Sequence, residues 1–203
     1  MKKLLLSTAA LAAFCSSAAQ ANTVFTDRAA FEAALTSFFT ESFENNPQFD
    51  AVVTYGDLTI EETNGINSIT NSLISVFFTN AVTDGSGSVW YDDNDDSIAN
   101  FSFANPINAV GFDIATSASE TASIVGPGFT ESISVGTSPV FFGIIATSMF
   151  TSFTVDVSGG PEVGFDRVSY GMGTAATVPI PAAAPLMLAG LGALGLRRRR
   201  KAQ

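Results

Sequence analysis

Histidine is absent from the 203 residues, and the single cysteine, Cys15, falls within the first twenty-one. Without histidine the chain cannot build a Ser-His-Asp arrangement, a histidine-ligated zinc site or an imidazole general base. Beyond Cys15 no residue can form a disulfide, a thiolate metal ligand or a thiol nucleophile. Basic residues are scarce as well. Between Asn22 and Thr177 nineteen Asp and Glu face only Arg28 and Arg167, a formal charge of −17. A surface of that sign repels nucleic acid and anionic lipid, so its ionic partners are cations. Solubility in an extracellular, saline setting accounts for the same charge without a specific ion. Carboxylate-only chemistry such as a glycosidase pair stays open, with no spacing in its favour.

What is present at the two ends is distinctive. Met1-Lys2-Lys3 is a short positive region, Leu4 to Phe14 an apolar one, and Ala19-Gln20-Ala21 satisfies the small-x-small cleavage rule, so residues 1–21 read as a signal peptide cut after Ala21. Phe14 is too large for the small residue that a lipoprotein signal carries before its cysteine. At the other end Val178-Pro179-Ile180-Pro181-Ala182 leads into an apolar stretch closing at Leu196, followed by Arg197, Arg198, Arg199, Arg200 and Lys201. Each Arg or Lys at a bilayer centre costs roughly 2.5–3.5 kcal/mol, so this cluster stops transfer and stays on the cytoplasmic side. Leu186 to Leu196 makes about 16 Å of helix against a hydrocarbon core of about 30 Å, a temporary holdfast more than a lasting span.

A Pro-containing motif, a weak short transmembrane helix and a terminal Arg cluster in that order resemble the PEP-CTERM class of bacterial sorting signals. The match is nearest to its VPLPA-CTERM variant, from whose core motif the chain departs by Ile180. The resemblance implies recognition by an exosortase, export from a Gram-negative-type cell by the secretion machinery and signal peptidase, and an inner-membrane intermediate. It also implies a final place at the cell surface or in an exopolysaccharide or biofilm matrix. The alternative is an ordinary C-terminal membrane anchor with a positive-inside flank.

The middle of the chain is long enough for one core and holds 17 of the 18 Phe. Thr26 to Leu35 predicts the one helix, capped by Asp27 or Thr26, with Phe31 and Leu35 on one face. Strands are predicted over Phe38–Glu44, Val52–Tyr55, Leu58–Glu62, Leu73–Thr79, Val89–Tyr91, Ile98–Ala104, Ile107–Ala115, Phe129–Val135, Val140–Thr147, Phe150–Val157 and Val163–Tyr170. In Phe153-Thr154-Val155-Asp156-Val157 the apolar residues share one face, as in a strand covering a core on one side. The pattern predicts an all-β, antiparallel β-sandwich of jelly-roll type over residues 22–170, then a loose linker over 171–177 and the sorting segment over 178–203.

Several phrases resemble a β-sandwich module found in exported proteins carrying this signal: Val24 to Phe31 leading to Ser42-Phe43-Glu44, Pro106 to Asp113, Phe141 to Ile145, and Gly164 to Tyr170. Such modules are similar to galactose-binding and carbohydrate-binding jelly rolls, in which a structural calcium is often held between first and last strands. Asp166 shares strand parity with Val168 and Tyr170, so it enters the core if they do, and an unpaired buried carboxylate needs donors or a metal. Glu44 matches the first-strand position of the resembling modules, making Glu44 and Asp166 the candidate calcium pair, against a reading in which both are solvated or bonded to backbone.

Asp92-Asp93-Asn94-Asp95-Asp96 fails as an EF-hand loop, because Ser97 stands where Gly belongs and Phe103 where the bidentate Glu belongs, so it reads as an acidic turn. Trp90 and Tyr91 could stack on a sugar or fill a core, and Asp84 to Ser88 reads as a flexible turn. Arg28 and Arg167 each read as one half of an ion pair. The function expected is a non-enzymatic, acidic surface protein associated with exopolysaccharide. A calcium-dependent lectin-like module is the alternative, and a carboxylate-dependent polysaccharide-degrading enzyme stands last.

Overall fold

The computed structural model describes residues 19–44, 49–50, 52–62, 69–71, 82–85, 88–91, 96–158 and 162–178. The leader expected before Ala19, the strand expected over Leu73–Thr79, the turn expected over Asp92–Asp95 and the sorting segment expected from Pro179 on, with the Arg cluster, lie outside these residues. Of Trp90 and Tyr91 only the backbone is described. Among the described residues no helix is long and apolar enough to cross a membrane.

The elements in chain order are β1 (Ala19–Gln20), β2 (Thr23–Phe25), α1 (Arg28–Ala33), β3 (Leu35–Glu41), β4 (Phe49–Asp50), β5 (Val52–Tyr55), β6 (Leu58–Glu62), β7 (Ile69–Asn71), β8 (Val89–Tyr91), β9 (Asp96–Thr116), β10 (Glu120–Gly126), β11 (Phe129–Val135), β12 (Val140–Ser158), β13 (Val163–Gly173) and β14 (Thr177–Val178). The chain divides into two compact units, residues 21–176 and the two ends together; of the ends, the described part is the antiparallel pair β1 and β14. Every pairing between described strands is antiparallel.

Two pairs of predicted strands are each one long strand. β9 runs through Asn105-Pro106, and β12 runs through the stretch between Thr147 and Phe150. Their N- and C-terminal halves belong to different layers. The first half of β9 and the second half of β12 pair with each other, with β6 and β5 on one side and β10 and β11 on the other. The second half of β9 and the first half of β12 pair with each other, flanked by β2 on one side and β13 on the other. β13 in turn carries β8 along its start and β3 along its end. A straight strand would set residues 101 and 112 about 36 Å apart at about 3.3 Å per residue. Their rings instead stack with centroids 5.8 Å apart, so the ribbon folds back over its own core. The side that faces inward changes between Ile107 and Val110, opposite the irregular register of β12 between Ile145 and Ser152. Proline, with no N–H to give to a ladder, fits that bend. The fold is thus an antiparallel β-sandwich, as the spacing of strands predicts.

Between the layers sits an aromatic core of Phe101, Phe103, Phe112, Phe142, Phe150, Phe153 and Phe165. A second, smaller cluster covers the outer face of the second layer, where Phe31 packs with Ala109, Ile145 and Ala175. The strands leave room for it with small residues. Gly111 and Gly143 are register partners, and a methyl on either would stand 2.8 Å from a Phe31 ring carbon, so the helix rests on bare backbone.

Three expectations need correction. The helix ends at Ala33, with Asp27 as its cap accepting from the Ala30 amide at 2.8 Å; Leu35 already pairs in β3, although it still packs beside Phe31. The loose linker over 171–177 is instead ordered structure through Ala176. β13 continues to Gly173, whose amide and carbonyl are both held by the Asn108 side chain (2.8 and 3.0 Å), and Ala175 is buried. β10 occupies a stretch over which no strand is predicted, with Ala122 and Ile124 turned inward.

Candidate functional site

Two places on the sandwich gather polar chemistry. The first is buried beneath α1. Asp166 and Asp113 are direct register partners on β13 and β9, and Asp166 is fully buried. Asp166 enters the interior by a different route from the one its parity predicts. Val163 and Phe165 face the main core and so do Val168 and Tyr170, a spacing that needs one extra residue. Arg167 supplies it as a bulge with φ of 49°, and the register of β13 against β9 shifts there. Asp166 therefore points to the opposite face from Val168, under the helix.

There it is surrounded by donors. Its Oδ2 accepts from the Thr83 amide (2.6 Å), the Asp84 amide (2.8 Å) and the Thr83 hydroxyl (3.1 Å), and its Oδ1 from the Arg167 amide (2.6 Å). The Thr83 hydroxyl also lies 2.5 Å from Asp113 Oδ2. Burial pushes the Asp166 carboxyl up to about 6, the donated hydrogen bonds pulling the other way. Both arginines converge here. Arg28 pairs with Asp113 at 2.9 Å and with Glu32 at 3.4 Å, donates to Ser169 and lies 4.5 Å from the centroid of the Phe141 ring. Arg167 reaches Glu32 and Asp84, each at 3.9 Å. The reading of each arginine as half an ion pair is thus too small, since Glu32 joins them into one network.

Calcium fits Asp166 poorly. The ion needs oxygen ligands turned toward it, whereas N–H and O–H groups point at both Asp166 oxygens. Glu44 packs against Gly85, where a Cβ would collide with its carboxylate, so Glu44 and Asp166 contact neighbouring residues of the segment 83–85. Among the described residues no group of three or more acidic side chains is placed to hold an ion. The network serves to pin this segment and the helix to the sheet.

The second place is an open groove of about 260 Å³ beside the bend of β9. Phe38 and Phe39 of β3 line it, and both are about half exposed, at 48% and 56%. Tyr170 of β13 stands behind Phe39, ring centroids 5.8 Å apart, and Phe103 behind Tyr170 at 5.0 Å. Polar groups come from Asp57 and Asn105, whose amide nitrogen lies 3.5 Å from Asp57 Oδ2. Asp57 sits in the two-residue turn joining β5 to β6, where Gly56 has φ of 59°, and its carbonyl accepts from Ala104 at 2.9 Å. The hairpin thus ties the Asp57 backbone to the bend, with its exposed carboxylate beside Asn105. A second hollow shares Phe39, Asp57 and Tyr170 with the groove. Burial, then Asp57 and Glu41, push the Tyr170 phenol up to about 12, so it keeps its proton as a donor.

Compared with known proteins, no family model matches the chain and no curated protein matches it. Among solved structures it is similar to a family 61 carbohydrate-binding module in complex with β-1,4-galactotriose, at 13% identity and a TM-score of 0.35, covering 69% of this chain and 91% of that one. It is also similar to a family 29 carbohydrate-binding module, at 10% identity and a TM-score of 0.35, covering 67% and 90%.

The groove itself was not foreseen. A signal for it exists in Phe38-Phe39, since consecutive strand residues point to opposite faces and two large rings in a row cannot both enter one core. The arrangement offers exposed aromatic surface beside a carboxylate and an amide, the combination that binds a ring with an apolar side and a hydroxylated edge.

Proposed function

We propose that the chain is an exported surface protein whose β-sandwich binds glycan, without catalysis, through the Phe39 groove. The observation that carries the binding half is the pairing of solvent-exposed Phe38 and Phe39 with Asp57 and Asn105 in one open groove. A pyranose presents C–H groups on a face and hydroxyls around its rim, which an aromatic ring and a planar carboxylate-amide pair complement. The absence of catalysis is supported by the state of Asp113 and Asp166. These adjacent carboxylates are buried under Thr83 and Arg28 and occupied by donors, out of reach of a polysaccharide.

Export rests on the sequence of the two ends: a cleavable leader through Ala21, the Val178 to Ala182 motif, too short an apolar stretch, and the Arg197 to Lys201 stop. With them come a transient inner-membrane stage, an exosortase as processing partner, and exopolysaccharide or biofilm matrix as the setting for glycan binding.

The full chain applied to a glycan array is expected to mark a defined set of neutral or amine-bearing glycans. Phe39→Ala should weaken that binding about five- to ten-fold, the worth of one stacked ring, while a half-exposed side chain leaves folding nearly unchanged. A flat array ends the glycan reading; binding unmoved by Phe39→Ala moves it away from this groove. For export, intact mass of the protein recovered outside the producing cell should lack residues 1–21 and the segment Arg197 to Gln203. A secreted species that retains both ends removes the processing step.

A further inference from the structure

The groove has a charge of one sign, and this carries a selectivity. Among the described residues that line it the charged side chain is Asp57, and none is basic. Glu41 adds to the same field, because together with Asp57 it acts electrostatically on the Tyr170 hydroxyl. Between Asn22 and Thr177 the sequence supplies only Arg28 and Arg167 as cations, and both are committed to Glu32, Asp113 and Asp84 beneath the helix. The domain's own cations are therefore spent away from the groove. A sugar carboxylate or sulfate placed on Phe39 would lie beside Asp57 with no guanidinium to receive it, whereas an ammonium there would meet the carboxylate of a residue whose backbone is tied to the bend.

We propose that this groove prefers sugars carrying a protonated amine over their uncharged counterparts and rejects uronic acids. The proposal rests on the glycan reading above and deepens it. Asp57 is solvent-exposed, so the gain is that of a surface ion pair, up to about five-fold in affinity, and it is screened by salt. Rejection follows from the same field with the sign reversed.

The test uses the full chain and two matched sets of sugars displayed on one carrier: galactose, galactosamine and galacturonate, and glucose, glucosamine and glucuronate, at low and high salt. Expected is an order of amine, then neutral, then acid within at least one set, with the preference compressed by salt. Asp57→Asn should bring amine and neutral forms to equal affinity while retaining the neutral one, and Phe39→Ala should weaken both. A neutral sugar that binds with no advantage for its amine overturns the selectivity and leaves the glycan reading intact. An amine preference that survives Asp57→Asn, or amine binding that survives Phe39→Ala, also overturns it, since the attraction then comes from the domain's overall charge. No binding of any member removes the selectivity, and with a flat glycan array it removes the glycan reading as well.

Discussion

Replacing Asp166 by alanine is expected to lower the stability of the domain by about 3 kcal/mol at neutral pH, and by more in mild acid. The change takes the acceptor from the backbone amides of Thr83, Asp84 and Arg167 around a carboxylate that is itself fully buried, while the Thr83 hydroxyl keeps Asp113 Oδ2. Each buried donor left without a partner costs about 1–3 kcal/mol, and water entering the hole recovers part of it. For a domain of this size that corresponds to a fall in Tm of about 6–12 °C.

The pH dependence separates this arrangement from an ordinary buried salt bridge. The native carboxyl is raised from 3.8 to about 6 by burial, so between those values the folded protein binds a proton that the unfolded chain has released. The stability gained from that proton is complete below about 3.8 and is lost as pH rises through 6, a swing of roughly 3 kcal/mol for this group. Alanine has no such swing, so the gap between wild type and Asp166→Ala should widen as pH falls from 7 toward 4. A carboxylate dominated by its arginine neighbours would behave in the opposite way, its contribution fading on acidification. Denaturant unfolding of both proteins at pH 4.5 and 7 decides it; a gap that narrows in acid refutes the burial-dominated carboxyl.

Arg167 explains why the sandwich could be read from the sequence and the interior of this site could not. Strand alternation is a local signal, clear in Phe153 to Val157, and it located most strands of both layers. A bulge is not local. Arg167 adopts a left-handed backbone with no glycine to announce it, and one extra residue moves Asp166 to the other face from Val168 and Tyr170. β10 was hidden for a different reason: small Ala122 and Ile124 point inward while Val125 points out, so its alternation has little contrast. The groove draws on positions 38, 57, 105 and 170, which come together only after β9 bends and the β5–β6 hairpin docks against it. No window of sequence contains that meeting. The Asp92 to Asp96 run, by contrast, drew notice as a motif, while the polar sites of the described fold use isolated acids such as Asp57, Asp113 and Asp166.

Phe101→Ala should cost about 3–5 kcal/mol, the upper range for emptying a fully buried phenylalanine site. Phe101 lies in the first layer at the centre of the core, its ring 4.7 Å from Phe153, 5.1 Å from Phe165 and 5.8 Å from Phe112. Phe153 shares its layer, and Phe112 and Phe165 belong to the other one, so the lost ring removes contacts within a sheet and across the sandwich together. Phe129 offers a contrast: slightly exposed, with its ring against Phe150 at 5.4 Å toward the edge of the aromatic cluster, it should cost less on truncation. The decisive measurement is the pair Phe101→Leu and Phe112→Leu, milder changes that keep the protein folded. Residues in contact couple by about 0.5–3 kcal/mol, whereas residues far apart add to within about 0.5 kcal/mol. A straight β9 would hold these positions about 36 Å apart and give additive losses. Coupling between two residues eleven apart on one strand is therefore the signature of a ribbon bent across its own core, and strict additivity would show that β9 does not bend.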